Sequence, residues 1–312
     1  MTGVIGIHQG LFGRVTLFRT NQPVHVHAHP HVHALIKVEG KDGIYEVNGS
    51  LCPITDNQMV LINPWVPHAN WRNENDPPIT ILALYLEAGW LVRGGSSHIA
   101  RWPFNKQSAT VDAPMRTVVA KIAATIADAT SPTAEEDLEA DIFSLLQQLL
   151  AANSTAGLAP ITARPVDHRI RKAINLMRAD PNKPHCLDSL AQSVGLSRSR
   201  FFEQFSASTG MTPNVYSDTL RVEYAIEQLI GSDRPASDIA LDLGFSAPGH
   251  FTRFFKNKIG FTPREYRRVA QYTHPGAGVN RRQHPALRRQ SDSARARPSA
   301  LQPSKPLPPS LL

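Results

Sequence analysis

Five histidines, His25, His27, His29, His31 and His33, occupy every second position of one short segment. Imidazole is the side chain that changes charge near neutral pH and the commonest nitrogen donor to metals. In an extended strand alternate residues project from one face, so this spacing sets all five rings side by side, although Pro30 weakens ladder pairing there. Such a row can coordinate a metal, or it can line an apolar ligand pocket or sit partly exposed without one. It is not a purification tag, being interrupted at every second position and followed directly by strand-like sequence.

A second chemistry-bearing group lies in the last third of the chain. Ala191, Gly195 and Ser197 recur as Ala240, Gly244 and Ser246 at a spacing of 49. Phe201, Phe205, Gly210, Thr212, Pro213 and Tyr216 recur as Phe251, Phe255, Gly260, Thr262, Pro263 and Tyr266 at 50, so the second copy carries one extra residue between its helices. Two copies are too few to stack as a solenoid, which makes this a duplicated domain. In the first copy Leu187, Leu190 and Ala191 mark a short helix, Gly195 supplies a tight turn and Ser197 caps the next helix. Gly210 ends that helix, and Thr212 with Pro213 starts another. Each copy therefore reads as a helix-turn-helix that holds a short helix where a DNA major groove can receive it. A helical bundle without a nucleic-acid role has the same punctuation once, but rarely twice in full.

Helical geometry turns Phe201 and Phe205 inward, leaving Arg198, Ser199, Arg200, Phe202 and Glu203 toward a groove and its edges. With Phe251 and Phe255 inward, His250, Arg253 and Lys256 remain on the second helix. The predicted DNA-binding set is Arg198, Ser199, Arg200, Glu203, His250, Arg253 and Lys256, with Arg253 suited to a bidentate guanine contact.

The run "LAQSVGLSRSRFFEQFSASTGMTPNVY", Arg221 and Ala225 in "LRVEYAIEQL", and above all "IALDLGFSAPGHFTRFFKNKIGFTPREYRR" resemble the roughly 100-residue C-terminal domain of the AraC/XylS family of bacterial transcription regulators. Where that family commonly has Ser-Tyr-Phe, this chain has Gly249, His250 and Phe251.

The N-terminal segment is strand-rich: "ALIKVEG", "GIYEVNG" and "QMVLINPWVPHANW" are short runs bounded by Gly, Pro and Asn, which suggests a small barrel or jelly roll. It resembles the cupin sensor domains of AraC-type regulators. In that pattern His27 and His29 match the paired ligands, His33 stands where Glu is usual, Gly40 follows, and His68 supplies the last position. The resemblance thus implies a metal- or effector-binding set of His27, His29, His33 and His68. Four imidazoles suit Zn, Ni, Cu or Fe, which favour nitrogen donors.

Between these regions Met115, Val118, Val119, Ile122 and Ile126 have helical spacing behind Asp112 and Pro114. Leu138, Ile142, Leu145, Leu146 and Leu149 do so behind a capping box from Thr133 to Glu136. The expected organisation is an α+β two-domain chain. A cupin-like β-barrel or jelly roll spans 1–110, a helical dimerisation hairpin 111–152, a linker 153–165, and an all-α double helix-turn-helix domain 166–273. A disordered, basic, Pro-rich tail, 274–312, follows. That tail adds loose DNA contacts or is merely a solvated extension.

The 312 residues carry a formal net charge of +7, unevenly spread: −3 over residues 1–164, +4 over 165–273 and +6 over 274–312. A mildly acidic sensor joined to a basic segment suits a DNA binder, because phosphate contacts supply most nonspecific affinity. No apolar run approaches the 18 residues of a membrane span, and "MTGVIGIHQG" lacks the features of a signal peptide. Cys52 and Cys186 are the only cysteines, without CxxC spacing, so a reducing cytoplasm is expected.

The expected function is that of a transcription regulator, not an enzyme, governed by a small-molecule or metal effector. Its expected partners are double-stranded promoter DNA, the effector, a second copy of the chain and RNA polymerase. The rival reading is a metal cupin enzyme, dioxygenase-like, fused to a DNA-binding domain, against which stands the lack of an acid-base residue beside the histidines.

Overall fold

The computed structural model describes residues 3–10, 12–73, 75–87, 104, 106–128, 134–153 and 167–273. Its N-terminal part is built from β1 (Gly3–Gly10), β2 (Gly13–Thr20), β3 (Val24–His27), β4 (Val32–Gly40), β5 (Gly43–Val47), β6 (Ser50–Ile54), β7 (Gln58–Ile62), β8 (His68–Asn70), β9 (Ile79–Leu86) and β10 (Ser108–Thr110). They form two antiparallel sheets, ordered β1-β2-β9-β4-β7-β10 and β3-β8-β5-β6.

The six-stranded sheet is covered on both faces, and β9 shows how its sequence serves both. Leu82, Leu84 and Leu86 face a core shared with two helices, while Ile79, Ile81 and Ala83 face the core between the sheets, against Tyr45, Val47, Cys52 and Ile54. Alternation alone separates the two sets. This is the cupin-like double sheet expected from the strand-rich sequence.

The covering helices are α1 (Ala113–Ala127) and α2 (Ala134–Asn153). Asp112 caps α1, accepting from Met115 N at 2.9 Å, but Thr133, the start of the expected capping box of α2, lies outside the described residues. Leu138, Ile142, Leu145, Leu146 and Leu149 are all buried within the chain. They pack in the core shared with α1 and the six-stranded sheet. The expected linker, from residue 154, and the tail of 274–312 also fall outside the described residues.

The C-terminal part comprises α3 (His168–Ala179), α4 (Leu187–Ser193), α5 (Arg198–Thr209), α6 (Pro213–Gly231), α7 (Ala236–Asp242), α8 (Pro248–Ile259) and α9 (Pro263–Thr273). The pairs α4–α5 and α7–α8 are the two helix-turn-helix units, joined by α6. Their turns depend on Gly195 at φ +72° and Gly244 at φ +74°, a left-handed conformation that favours glycine. Each unit has its own core: Phe201, Phe205 and Tyr216 in the first, Phe251, Phe255 and Tyr266 in the second.

One repeated residue changes its work. Ser197 caps α5, accepting from Arg200 N at 3.4 Å, whereas the extra residue in the second copy makes Ala247 the cap of α8, without a side-chain bond. Ser246 instead lies 3.5 Å from His250 Nδ1. Among the described residues no helix is long and apolar enough to cross a membrane.

Candidate functional site

The histidine row does not form one strand, which corrects the expectation of five rings on one face. β3 belongs to the four-stranded sheet and β4 to the six-stranded one, so the chain crosses between sheets from Ala28 to His31. The reversal leaves His25 exposed. It turns His31 toward acidic groups, with Nε2 at 3.1 Å from Glu87 and Nδ1 at 3.9 Å from Glu223 of α6.

The remaining three converge with His68 at the mouth of β8. His29, His33 and His68 are buried, and each offers a ring nitrogen within 4.8 Å of the others'. His27 stands beside them, its ring centroid 4.2 Å from that of His68. Strand register explains the meeting: β3 pairs with β8, opposing His27 and His68, while His33 faces inward from β4.

Backbone carbonyls, which only accept, dictate the tautomers. His27 Nδ1 donates to His25 O at 3.0 Å, His33 Nδ1 to Leu84 O at 2.9 Å, and His68 Nδ1 to Val66 O at 2.9 Å. In each case Nε2 is the nitrogen that carries the lone pair. His68 Nε2 and both ring nitrogens of His29 are buried without a hydrogen-bond partner among the described residues. Buried polar atoms are seldom left so, and a metal-bound imidazole characteristically donates its other N–H to a carbonyl.

Burial, reinforced by the neighbouring rings, pushes His27, His29 and His33 well below the ordinary imidazole value. Burial lowers His68 to about 4 against the opposing bond to Val66 O. The rings are thus neutral near pH 7, the form that coordinates metal. The donor set fits a divalent cation, held by His29, His33 and His68 with His27 adjacent. A bound metal would supply Lewis acidity and an anchor for a ligand donor atom.

A cavity adjoins this centre. Arg14, Phe18, Leu35, Tyr85, Lys258 and Phe261 are among its lining residues, so the sheets and α8 share it. Arg14 is buried, with its guanidinium 4.3 Å above the Tyr85 ring, and His33 stacks on that ring at 4.2 Å. Lys258 donates to Val26 O at 3.2 Å and pairs with Asp218 at 3.1 Å. The sequence reading missed Arg14, Tyr85 and Lys258, since their relation to the histidines runs across strands and between domains.

On the helix-turn-helix units, Arg198, Ser199, Arg200, Glu203, His250, Arg253 and Lys256 are all exposed. Phe202 differs from expectation. It is half-buried beside the first core, with the Arg198 guanidinium 5.0 Å over its ring. Arg198 also pairs with Asp188. Arg221 is structural: it donates to Leu243 O at 2.8 Å and lies over Phe245 and Phe254 at 4.3 and 4.9 Å.

A helix-turn-helix domain family matches residues 190–269. The chain is 32% identical over 99 residues to the HTH-type transcriptional regulator ArgR of Pseudomonas aeruginosa, a match covering 32% of this chain and 30% of that one. It is 24% identical over 248 residues to the transcriptional activator RhaS of Klebsiella pneumoniae, covering 77% of this chain and 86% of the relative. Among solved structures, that of Vibrio cholerae ToxT bound to an unsaturated fatty acid covers 82% of this chain and 94% of its own, with 15% identity and a TM-score of 0.50, a likeness of fold. With its duplicated helix-turn-helix behind a double antiparallel sheet, the chain is thus similar to transcription regulators, a likeness in keeping with its resemblance to the AraC/XylS family.

Proposed function

We propose that this regulator reads promoter DNA with α5 and α8 and takes its signal from an effector bound between the two sheets. Arg198, Ser199, Arg200, Glu203, His250, Arg253 and Lys256 form the DNA-reading set, and all seven side chains are open to solvent. The observation that carries the effector reading is the convergence of His29, His33 and His68 with Nε2 of His68 and both nitrogens of His29 unpartnered. Neutral buried lone pairs pointing at one another ask for a cation. The effector is therefore a divalent metal, Zn, Ni, Cu or Fe, with His27 as a further donor beside the three.

A second reading rests on the adjoining cavity. Its apolar walls, Phe18, Leu35 and Phe261, with Arg14 and Lys258 beside them, suit an organic anion. The fatty acid bound to ToxT is in keeping with this. The protein acts as a homodimer on its operator and meets RNA polymerase there, as the family resemblance implies.

Elemental analysis of untagged protein, followed by DNA binding with and without the metal found, tests the proposal. One metal per chain and an operator affinity that changes on its removal are expected. Affinity should also fall with salt, at a logarithmic slope of about −0.9 per phosphate neutralised. A metal content far below one per chain, not restored by Zn, Ni, Cu or Fe, leaves the anion reading in its place.

A further inference from the structure

The two segments that supply His29 and His68 also hold the first helix-turn-helix unit. Ala28 belongs to that unit's core cluster, and Trp65, from the loop between β7 and β8, packs against it. The Trp65 ring stacks on Tyr216 of α6 at 4.6 Å and 19°. Arg178 of α3 closes the contact, with its guanidinium 5.1 Å over Trp65 and its Nε donating to the Tyr216 hydroxyl at 2.7 Å. Trp65 N donates to His29 O at 2.8 Å, so the loop and the crossing segment move together. Trp65 reaches this position with φ at +64°, a conformation that a residue with a side chain rarely adopts. The second unit is held by Val4 and Ile7 of β1 in its core cluster, and also by Lys258 of α8 on Val26 O of β3.

The ring nitrogens of His29, His33 and His68 lie up to 4.8 Å apart. Tetrahedral coordination with metal–nitrogen bonds of about 2.0–2.1 Å requires nitrogens about 3.4 Å apart. A cation would draw the wider-spaced nitrogens together, and the segments that carry His29 and His68 also carry Ala28 and Trp65, packed on the first unit.

We propose that the imidazole centre and the Trp65 contact oppose each other. Closing the centre on a divalent cation draws His29 and His68 inward and withdraws Trp65 from Tyr216, which loosens the first helix-turn-helix unit more than the second, whose core also rests on β1. This rests on the reading of the centre as a metal site. It makes the metal signal act chiefly on one half of the DNA-binding domain. Linkage requires the converse: loosening the Trp65 contact must tighten metal binding.

The test is amide exchange on the full chain with and without Zn(II), together with Zn(II) affinity for the native protein, Trp65→Ala and Arg178→Met. Zinc is expected to speed exchange several-fold across residues 168–216 and to change residues 236–259 much less. Trp65→Ala should exchange fast in 168–216 without zinc, respond little to it, and bind zinc about 5-fold or more tightly than the native chain. Arg178→Met, which leaves the loop intact, should shift both readouts in the same direction by less. Stoichiometric zinc with unchanged or slowed exchange in 168–216 overturns the proposal and leaves the metal site standing. So does a zinc affinity indifferent to both substitutions. If no zinc binds, the metal reading and the proposal fall together.

Discussion

The two helix-turn-helix units were written from one template, yet they are stabilised differently. Their cores match residue for residue, with Phe201, Phe205 and Tyr216 in the first answered by Phe251, Phe255 and Tyr266 in the second. Their borders do not. The first leans on Trp65 from the N-terminal domain, has a serine cap on α5, and engages Arg198 with Asp188 and Phe202. The second leans on β1, lacks a side-chain cap on α8, and has Arg221 wedged between its turn and Phe254. Duplication thus kept what each unit needs to fold and left free what decides how each is held.

The cores should respond alike. Phe205→Ala and Phe255→Ala each remove a fully buried ring and should cost about 3–5 kcal/mol. Chemical denaturation of the full chain measures both, and a loss in one unit more than twice that in the other would break the equivalence. Arg221→Met should cost less, about 1.5–3 kcal/mol, for the lost bond to Leu243 O. It should raise exchange in residues 236–259 and spare 187–209. Equal loosening of both units would make Arg221 a part of the shared α6 and not of the second unit.

The surfaces should respond unequally. Arg253 is exposed, and no ion pair among the described residues uses it. Arg198 must leave Asp188 and Phe202 before it can meet a base. Arg253→Ala should therefore remove about 1–3 kcal/mol of base discrimination, and Arg198→Ala less, in binding assays on an operator and its single-base variants. The reverse order would mean that the first helix is the principal reader.

These differences mark where sequence reading stops. The repeat was legible because its punctuation is local: Gly195 and Gly244 at positive φ, and Gly210 and Gly260 ending helices, act within a few residues of themselves. The histidine row was legible as chemistry but not as geometry. Period-two spacing implies one face only while the strand continues, and here the chain changes sheets at Pro30. His68 was found through a family pattern, whereas Arg14 and Tyr85 needed the β2–β9 register that sets them opposite each other. Trp65 was hidden for another reason. Its partner Tyr216 lies in the other domain, and nothing in "NPWVPHANW" announces a residue whose ring faces outward to a helix while its backbone ties to His29.

The smallest difference between the units is also the easiest to titrate. Thr262 and Glu265 form a complete capping box at α9: Thr262 N donates to Glu265 Oε2 at 2.8 Å, the Thr262 hydroxyl donates to the same oxygen at 2.7 Å, and Glu265 N donates back at 3.2 Å. At the matching end of α6, Thr212 accepts from Val215 N at 3.3 Å, and Val215 has no carboxylate to return. Burial raises the Glu265 carboxyl, but the bonds from Thr262 outweigh it and bring the group below the ordinary carboxylate value of 4.5. A depressed acid stabilises the fold above its unfolded value, and that contribution is lost as pH falls through the folded one. Glu265→Ala should therefore cost about 0.5–1 kcal/mol at pH 7. The gap to the native chain should shrink as the pH drops below about 4.5. Val215→Ala, which removes no acid, should show a gap independent of pH over the same range. Thermal unfolding between pH 7 and pH 3.5 separates the two, and a Glu265→Ala gap that stays constant would show that the ionised carboxylate is not what holds the start of α9.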